Sequence, residues 1–401
     1  MTNFGKFLDR SMKDIAAEAV NGALGSAGID KEKLQVAVVG NATAGLITGQ
    51  EMIRGQVALR DMGIGGIPII NTENACASSS TAFHVAWMYV ASGMYDVALA
   101  VGMEKLYHED KTRSFKAIGS AVDVEWVAQM QAAAAAAKEA NNGQGNPDVA
   151  EGAGEKRSMF MDFYAAFARS HMAKYGTTKE QFARVAVKNH YHGSLNPHAQ
   201  YREVYSLEDV LASPPVAEPL TRLMCSPIGD GAAAAVLVSP EVARQITTKP
   251  VWIKASVLGS GFDRQPGEDD VTVTMAKKAY EMAGVGPEDL NVIECHDASA
   301  PAELVLYEEL GLCEKGEGGK LIDSKATYID GPIPVNPSGG LISKGHPIGA
   351  TGVAQIYEIY TQLRGEAGDR QVKNPKVGLT ENGGGMVKGD PAALAVHILA
   401  L

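Results

Sequence analysis

The chain has 401 residues, of which 45% are hydrophobic and 21% charged, and its formal net charge is −11 at pH 7. This size and balance predict a globular protein of two or three domains, and the acidic charge argues against binding to nucleic acid, whose phosphates require basic surfaces. No apolar stretch is long enough to cross a membrane, and the first residues do not resemble a secretory signal, so we expect a cytoplasmic protein. The spacing of Cys76, Cys225, Cys295 and Cys313 indicates reduced thiols and matches no zinc motif.

The first chemical feature along the chain is Cys76, which follows an apolar run at residues 67–70 and a short polar turn. A helical pattern comes next, so we predict a strand, a tight turn and a helix that starts at Cys76. A helix N-terminus would stabilise the thiolate, which is the nucleophilic form of cysteine. A buried structural cysteine is the alternative unless another part of the chain supplies a base.

Residues 104–220 differ in composition from the rest of the chain. They contain an alanine run, a Gly- and Asn-rich stretch at residues 141–156 that predicts an exposed loop, and a segment rich in Met and aromatic residues. The Met and aromatic side chains recur at helical spacing, which indicates either core packing or the wall of a ligand pocket. Lys156, Arg157 and Arg222 are candidate cations for an anionic ligand, with solvated surface charges as the alternative.

Two histidines lie further along. The apolar segment before Cys295 predicts a strand that ends at His296, with a helix beginning near Ala302, and His296 and Asp297 are either functional groups or a strand-end capping pair. Residues 339–352 place His346 between two glycine-rich turns ahead of a helical pattern. Such a position suits proton transfer or oxyanion stabilisation, although a hydrogen-bonded turn residue is the bland alternative. Because Cys76 is available as a nucleophile, we favour a Cys–His pair for covalent acyl transfer.

Near the C-terminus, Glu381 and Asn382 precede a run of three glycines that includes Gly383 and Gly384. Closely spaced backbone amides suit an oxyanion or a thioester oxygen, and a plain hairpin turn is the alternative. An internal repeat is also visible, since residues 27–44 align with residues 283–300 and both segments follow a helical stretch. The repeat predicts two related halves with layered α/β packing.

Together these four loops resemble the active-site loops of the thiolase superfamily, in order and in spacing. The motif GHPIGATG is specific to that superfamily, and the pattern from His296 to Cys313 resembles its sterol-carrier-protein (lipid-transfer-protein-like) branch. The resemblance implies an α/β thiolase fold, with two duplicated αβαβα halves of five strands each forming a five-layered core. The halves would span residues 1–249, with a loop-domain insertion at about 104–220, and residues 250–401.

The resemblance also implies an activity, the thiolysis of a 3-oxoacyl-CoA with a bulky or branched acyl group such as an aryl-substituted acid or a steroid side chain. Cys76 would be the nucleophile, His346 its base, and His296 a group that holds the acyl-CoA enolate. The amides of Cys76 and of the Gly383–Gly384 loop would stabilise the oxyanion. Coenzyme A would be a substrate, and no cofactor or metal is expected. A retro-aldolase acting on a 3-hydroxyacyl-CoA and a non-catalytic acyl-CoA or lipid carrier are the alternatives.

Several further expectations come from the same resemblance. The insertion would shape the acyl-CoA site, with the candidate substrate-binding residues Met159, Phe160, Met161, Arg222 and Ser226. We expect a homodimer, which pairs further with a small OB-fold and zinc-ribbon protein into an α2β2 assembly.

The chain departs from the family pattern in two ways. Its first segment lacks the initial strand of typical members, and the glycine loop lacks the second catalytic cysteine. Depending on the alignment, Glu381 or Asn382 takes the place of that cysteine as the second acid/base.

Overall fold

The structure is a computed structural model that describes residues 1–140, 157–247, 249–265 and 267–401. The strands in these residues are β1 (Val36–Gly40), β2 (Ile69–Thr72), β3 (Val97–Glu104), β4 (Pro215–Ala217), β5 (Leu220–Thr221), β6 (Gly231–Val238), β7 (Trp252–Gly259), β8 (Val292–Glu294), β9 (Val377–Gly384) and β10 (Ala393–Ala400). The helices of the first part of the chain are α1 (Met12–Ala27), α2 (Ala44–Thr48), α3 (Arg54–Arg60), α4 (Ser78–Ala91), α5 (Lys111–Ile118), α6 (Val124–Ala140), α7 (Phe160–Tyr175), α8 (Lys179–Ser194), α9 (Leu207–Ala212) and α10 (Pro240–Ile246). Those of the second part are α11 (Val271–Ala283), α12 (Ala300–Glu309), α13 (Gly318–Asp323), α14 (Gly340–Lys344) and α15 (Thr351–Arg364).

Two mixed sheets form the framework. The first has the strand order β2-β1-β3-β6 and the second the order β7-β10-β9-β8, and a short β4–β5 pair lies apart from both. Every residue of β1 and β3 is buried, which is typical of strands covered by helices on both faces.

Three apolar clusters show how the layers stack. Helix α1 packs on the outer face of the first sheet, through residues such as Ile15 and Val20. Helices α4 and α15 lie between the two sheets, where Phe83 and Ile356 belong to one cluster. Helices α11 and α12 cover the outer face of the second sheet. This order, helix–sheet–helix–sheet–helix, confirms the predicted five-layered α/β core.

The internal repeat corresponds to one structural unit that occurs twice. Helix α1 ends at Gly28 and α11 ends at Gly284, each glycine in the left-handed conformation that caps a helix C-terminus. Each cap is followed by a 3-10 turn, at Lys31–Lys33 and at Pro287–Asp289, and then by β1 or β8.

The expectation of five strands in each sheet is not met in the described residues, where each sheet has four. The edge beside β6 is covered instead by the N-terminal segment, since the Thr2 amide donates to the Ala232 carbonyl at 2.9 Å and Gly5 bridges Asp230. At the β8 edge of the second sheet, Val335 forms a single parallel bridge with Ile293. Short pairings of this kind satisfy backbone groups that an open edge would leave exposed.

The predicted insertion consists of helices α5 to α9 and their connections. Helices α7 and α8 pack against the second half, where Met161 and Phe182 share an apolar cluster with Leu304. The insertion therefore forms a cover over the region between the halves. The predicted Gly- and Asn-rich loop, including Lys156, lies outside the described residues, and the division at residues 249 and 250 stays a prediction. None of the described helices is both long and apolar enough to span a membrane.

Candidate active site

A cavity of about 810 Å³ brings together the chemical groups that the sequence places hundreds of residues apart. Cys76, His296, His346, Glu381 and the glycines after it line this cavity, with walls from the insertion. The four loops meet there because each follows a strand or precedes a helix at the same side of the two sheets.

Cys76 lies in a 3-10 turn, Ala75–Ala77, between β2 and the first turn of α4. Ala75 adopts a φ of 47°, a left-handed conformation that is costly for a residue with a side chain and that recurs at functional turns. Burial raises the pKa of Cys76 to about 12, against a smaller lowering by a hydrogen bond from the Gly385 backbone. Desolvation therefore outweighs the expected stabilisation of the thiolate, and the neutral thiol is the favoured form of Cys76 near pH 7.

The two histidines stand directly beside this thiol. The Cys76 sulfur, one ring nitrogen of His296 and one ring nitrogen of His346 all lie within 4.8 Å of one another. The two imidazole rings meet edge to face, with their centroids 5.1 Å apart. Burial lowers the pKa of His296 to about 4 and lowers that of His346 well below its ordinary value. Both imidazoles are therefore neutral near pH 7, and each has one nitrogen that donates and one that accepts.

His346 presents its accepting nitrogen to the cavity. Its Nδ1 lies 2.7 Å from Oγ1 of Thr351, whose hydroxyl donates to the Pro347 carbonyl at 3.2 Å. The hydroxyl proton is thus used, so Nδ1–H donates to Thr351 and Nε2 retains a free lone pair. That lone pair can take the proton of the Cys76 thiol.

His296 has the opposite tautomer. Its Nδ1 lies 2.8 Å from Nδ2 of Asn382, an amide nitrogen that can only donate. His296 Nδ1 therefore accepts, and Nε2 carries the proton. One histidine of the pair thus acts as a base and the other as a hydrogen-bond donor.

The same tautomers bear on the suitability of the site for a metal ion. A metal-bound histidine uses a lone pair on one nitrogen and donates N–H from the other to an acceptor. Thr351 meets that requirement for His346, but Asn382 presents a donor to His296. The arrangement suits proton transfer better than the coordination of zinc by Cys76 and two histidines.

Glu381 and Asn382 occupy different environments, which bears on the choice between them. The carboxylate of Glu381 lines the cavity and accepts the backbone N–H of His296 at 2.9 Å. Burial raises the pKa of Glu381 to about 7, so that it can hold or release a proton under neutral conditions. Among the described residues, Asn382 is buried behind His296 and does not line the cavity. Of these two residues, Glu381 is thus the one placed to exchange a proton with a ligand.

The glycine loop approaches Cys76 more closely than any residue with a side chain could. A Cβ at Gly384 would lie 2.1 Å from the Asn74 carbonyl oxygen and 2.6 Å from the Ala77 nitrogen. The backbone that reaches the Cys76 sulfur belongs to Gly385, at a φ of 64°. Sequence reasoning assigned this role to Gly383 and Gly384 and did not single out Gly385, although the third glycine of the run was a visible signal.

Two buried carboxylates hold the loops, of which Glu104 was not identified from the sequence, whereas Asp297 was assigned either a functional or a capping role. Glu104, at the end of β3, accepts the backbone N–H groups of Thr43 and Gly349 and so ties the His346 loop to the first sheet. Asp297 accepts the backbone N–H of Leu341 at 2.6 Å and the Asn189 amide at 2.7 Å. His296 and Asp297 thus have separate tasks, one in the cavity and one in the framework. The sequence signal for Glu104 was a single carboxylate at the end of an otherwise uncharged strand.

Most of the predicted substrate-binding residues line the cavity. Phe160, Met161, Arg222 and Ser226 do so, whereas Met159 is absent from the described lining and packs toward Gly119, so its role in substrate binding stays a prediction. Arg157 also lines the cavity and forms an ion pair with Asp162 at 2.6 Å. The aromatic side chains of the lining are Phe115, Phe160, Phe163, Tyr164, Phe167, Tyr175 and Tyr201.

Comparison with known proteins covers nearly the whole chain. Residues 1–241 match the family model described as thiolase, N-terminal domain, and residues 268–398 match the model described as thiolase C-terminal domain-like. An acetyl-CoA acetyltransferase of Methanothermobacter thermautotrophicus is 42% identical, over 100% of this chain and 97% of that protein. Sterol carrier protein 2 of Bos taurus is 35% identical, over 99% of this chain and 72% of that protein.

Two further similarities concern proteins with more specific names. The benzoylsuccinyl-CoA thiolase subunit BbsB of Thauera aromatica is 38% identical, over 90% of this chain and 87% of that protein. The solved structure of an Ltp2-ChsH2(DUF35) aldolase superposes with a TM-score of 0.75 at 25% identity, over 100% of this chain and 95% of that one.

Proposed function

Because the chain belongs to the thiolase family of acyltransferases, we propose that it cleaves a 3-oxoacyl-CoA with coenzyme A through an acyl-cysteine intermediate. One observation carries the proposal. The sulfur of Cys76 lies within 4.8 Å of one ring nitrogen of His346 and of one ring nitrogen of His296, and the partners of the two rings favour a base at His346 and a donor at His296. A nucleophile, a base and a donor therefore face one ligand position.

The reaction begins with proton transfer from Cys76 to Nε2 of His346. Since burial holds the thiol pKa near 12, this transfer is coupled to attack of the sulfur on the 3-oxo carbon. The carbonyl oxygen gains the negative charge, and the backbone N–H groups of Cys76 and Gly385 stabilise it. Loss of one such donor costs about 3 kcal/mol of barrier in comparable sites.

Cleavage of the carbon–carbon bond follows. The electron pair of the C2–C3 bond passes into the thioester of the departing acyl-CoA, while the acyl group stays on the Cys76 sulfur. The Nε2–H of His296 and the newly protonated His346 hold the enolate oxygen. Glu381, whose pKa of about 7 keeps much of it protonated, gives its proton to the enolate carbon. Coenzyme A then attacks the acyl-cysteine: its thiol proton goes to the Glu381 carboxylate, its sulfur takes the acyl group, and the Cys76 sulfur leaves with the proton held by His346.

The cavity supports a bulky or branched acyl group, in particular an aryl-substituted one. Aromatic side chains such as Phe160, Phe163 and Tyr164 line its wall, and stacked rings are a favourable environment for an aryl group. The name of the Thauera aromatica relative, a benzoylsuccinyl-CoA thiolase subunit, supports the same substrate class. Arg222 lines the cavity and is our candidate for binding a coenzyme A phosphate.

We also propose that the protein is cytoplasmic and that it forms a homodimer within a larger assembly. Among the described residues strand β2 pairs with β1 alone, so its second edge could pair with the same strand of another copy, which would give a homodimer. The aldolase of similar structure is named together with a DUF35 partner, which supports an α2β2 assembly with a small acyl-CoA-binding protein. The acidic net charge of −11 favours a basic companion.

Intact-protein mass spectrometry during turnover tests the function. The protein is mixed with an aryl 3-oxoacyl-CoA and coenzyme A, and the loss of the 3-oxo substrate and the mass added to the protein are both followed. We expect a shorter acyl-CoA product and one acyl group on Cys76, absent from the Cys76→Ser variant. Cleavage of a 3-hydroxyacyl-CoA without any adduct would instead identify a retro-aldolase. Binding without cleavage of either substrate would identify a carrier.

A further inference from the structure

The two active-site histidines obtain their orientation from different sources. His346 bonds to Thr351, a near neighbour in the same loop, so its tautomer is set locally. His296 bonds to Asn382 on β9, and Asn382 in turn bonds to Ser80 on α4. The tautomer of His296 thus depends on a chain of contacts that ends in the other half of the molecule.

One consistent set of directions fits the atoms of this chain as they are placed. Ser80 is fully buried, and its hydroxyl donates to Oδ1 of Asn382 at 2.7 Å. With the amide oxygen held toward α4, the amide nitrogen faces Nδ1 of His296 at 2.8 Å. Rotation of the amide by half a turn would place its oxygen against Nδ1. That oxygen would favour a proton on Nδ1 and leave an acceptor, rather than a donor, in the cavity.

Gly352 provides independent support for the importance of this contact. A Cβ at Gly352 would lie 1.9 Å from the Ser80 hydroxyl oxygen and 2.9 Å from Oδ1 of Asn382. Any other residue at the end of the glycine-rich motif would therefore occupy the space in which the hydroxyl and the amide meet. The last glycine of the motif is explained by this bond and by the close approach of α15 to α4.

We propose that Ser80 is a positioning residue that acts through Asn382 to keep the proton of His296 on Nε2, where it faces the ligand as a hydrogen-bond donor. The inference rests on the proposed role of His296 in holding the enolate. Ser80 does not reach the ligand itself. Its effect should appear in carbon–carbon cleavage and not in acyl transfer from a simple thioester to Cys76, which does not form an enolate.

Histidine ¹⁵N NMR of the full-length protein measures the tautomer directly, because protonated and unprotonated ring nitrogens differ widely in chemical shift. The His296 signals are assigned by their loss in a His296→Gln variant. In the wild type we expect a protonated Nε2 and an unprotonated Nδ1. Ser80→Ala should shift the two nitrogen signals of His296 toward a protonated Nδ1 and an unprotonated Nε2. Asn382→Asp, which offers only acceptors to Nδ1, should place the proton fully on Nδ1. His346 should keep its own pattern in both variants.

Ser79→Ala is the matched control. Ser79 is equally buried on α4 and also bonds to the second half, where it accepts the Val353 backbone N–H at 3.1 Å, whereas the hydrogen bond to Asn382 among the described residues belongs to Ser80. We expect the His296 signals of the Ser79→Ala variant to match those of the wild type. Should Ser80→Ala fail to fold, Asn382→Asp carries the test alone, since it preserves the shape of the side chain.

Kinetics complete the experiment. Ser80→Ala should lower kcat for 3-oxoacyl-CoA cleavage by about 10-fold to 100-fold, within the range of a lost acid or donor, with KM changed little. Wild-type signals of His296 in both Ser80→Ala and Asn382→Asp would overturn the inference, and so would equal changes in Ser79→Ala. A shifted tautomer with an unchanged cleavage rate would leave the positioning role standing and refute the proposed role of His296.

Discussion

The two halves contain the same turn and helix but use them for different chemistry. In the first half the 3-10 turn Ala75–Ala77 leads into α4, and in the second the 3-10 turn Ile348–Ala350 leads into α15. Both helices have 14 residues, and they pack together between the sheets. The first turn itself carries the nucleophile, Cys76, whereas the second follows directly after the base, His346. Duplication therefore places two equivalent loops face to face, and their residue differences create a reacting pair.

The strand ends show the same contrast. In the internal alignment, Gly40 at the end of β1 corresponds to His296, which follows β8. A Cβ at Gly40 would lie 2.6 Å from backbone atoms of Ser78, so α4 leaves no space for a side chain there. His296 instead opens into the cavity. Close packing thus leaves no space for a catalytic side chain at this strand end of the first half, which contributes the nucleophile. The second half supplies the base, the donor and the candidate acid.

The largest expected effect comes from the nucleophile of the first half. Cys76→Ser should fold normally and lose thiolysis by on the order of 10⁴-fold or more, because a serine alkoxide is far less available than a thiolate. Steady-state thiolysis and circular dichroism measure the two quantities. Retained activity, or an acyl group on Cys225 or Cys313, would contradict the assignment.

The two histidines of the second half should differ from each other. His346→Ala removes the base and should slow acylation of Cys76 by about 10³-fold from any thioester. His296→Ala should slow carbon–carbon cleavage by about 10²-fold while acyl transfer from a simple thioester continues. Stopped-flow acylation with each substrate type separates the steps. A His296→Ala cleavage rate within about threefold of the wild type, well below the usual contribution of such a group, would show that this role is wrong.

Glu381 should determine the pH dependence of cleavage. Its raised pKa of about 7 means that the acid form is present below pH 7 and is lost as the pH rises above it. If the acid form donates to the enolate, the cleavage rate should fall by up to tenfold per pH unit between about pH 7 and 9. Glu381→Gln should be slower at pH 6 by about 10-fold to 100-fold and should lack this decline. A Gln variant with the wild-type profile would assign the decline to another group.

The smallest effect concerns packing at the first strand end. Gly40→Ala should lower the free energy of unfolding by about 1–3 kcal/mol, because its Cβ would overlap the Ser78 backbone. Gly22→Ala is the control, since Gly22 lies on the exposed face of α1, where a Cβ would have no atom outside the helix backbone within 4 Å, and it should stabilise the protein by up to about 1 kcal/mol. Urea unfolding measures both. Equal effects of the two substitutions would argue against the packing explanation for Gly40.

The sequence alone determined the elements, because their signals are local. Helical patterns and the internal repeat predicted the layered packing, and the loops around Cys76, His296, His346 and Glu381 could be recognised from residue type and spacing. The helix predicted after His346 is present as α15, and the one expected near Ala302 begins at Ala300.

Only the tertiary structure decided the properties that depend on contacts between distant segments. Desolvation makes Cys76 a thiol rather than a thiolate, and it raises the pKa of Glu381 while the neighbouring Asn382 is buried behind a histidine. The tautomer of His296 likewise follows from its contact with Asn382, a residue of another element. Burial and hydrogen-bond direction are properties of the packed chain, so no local pattern of residues could have supplied them.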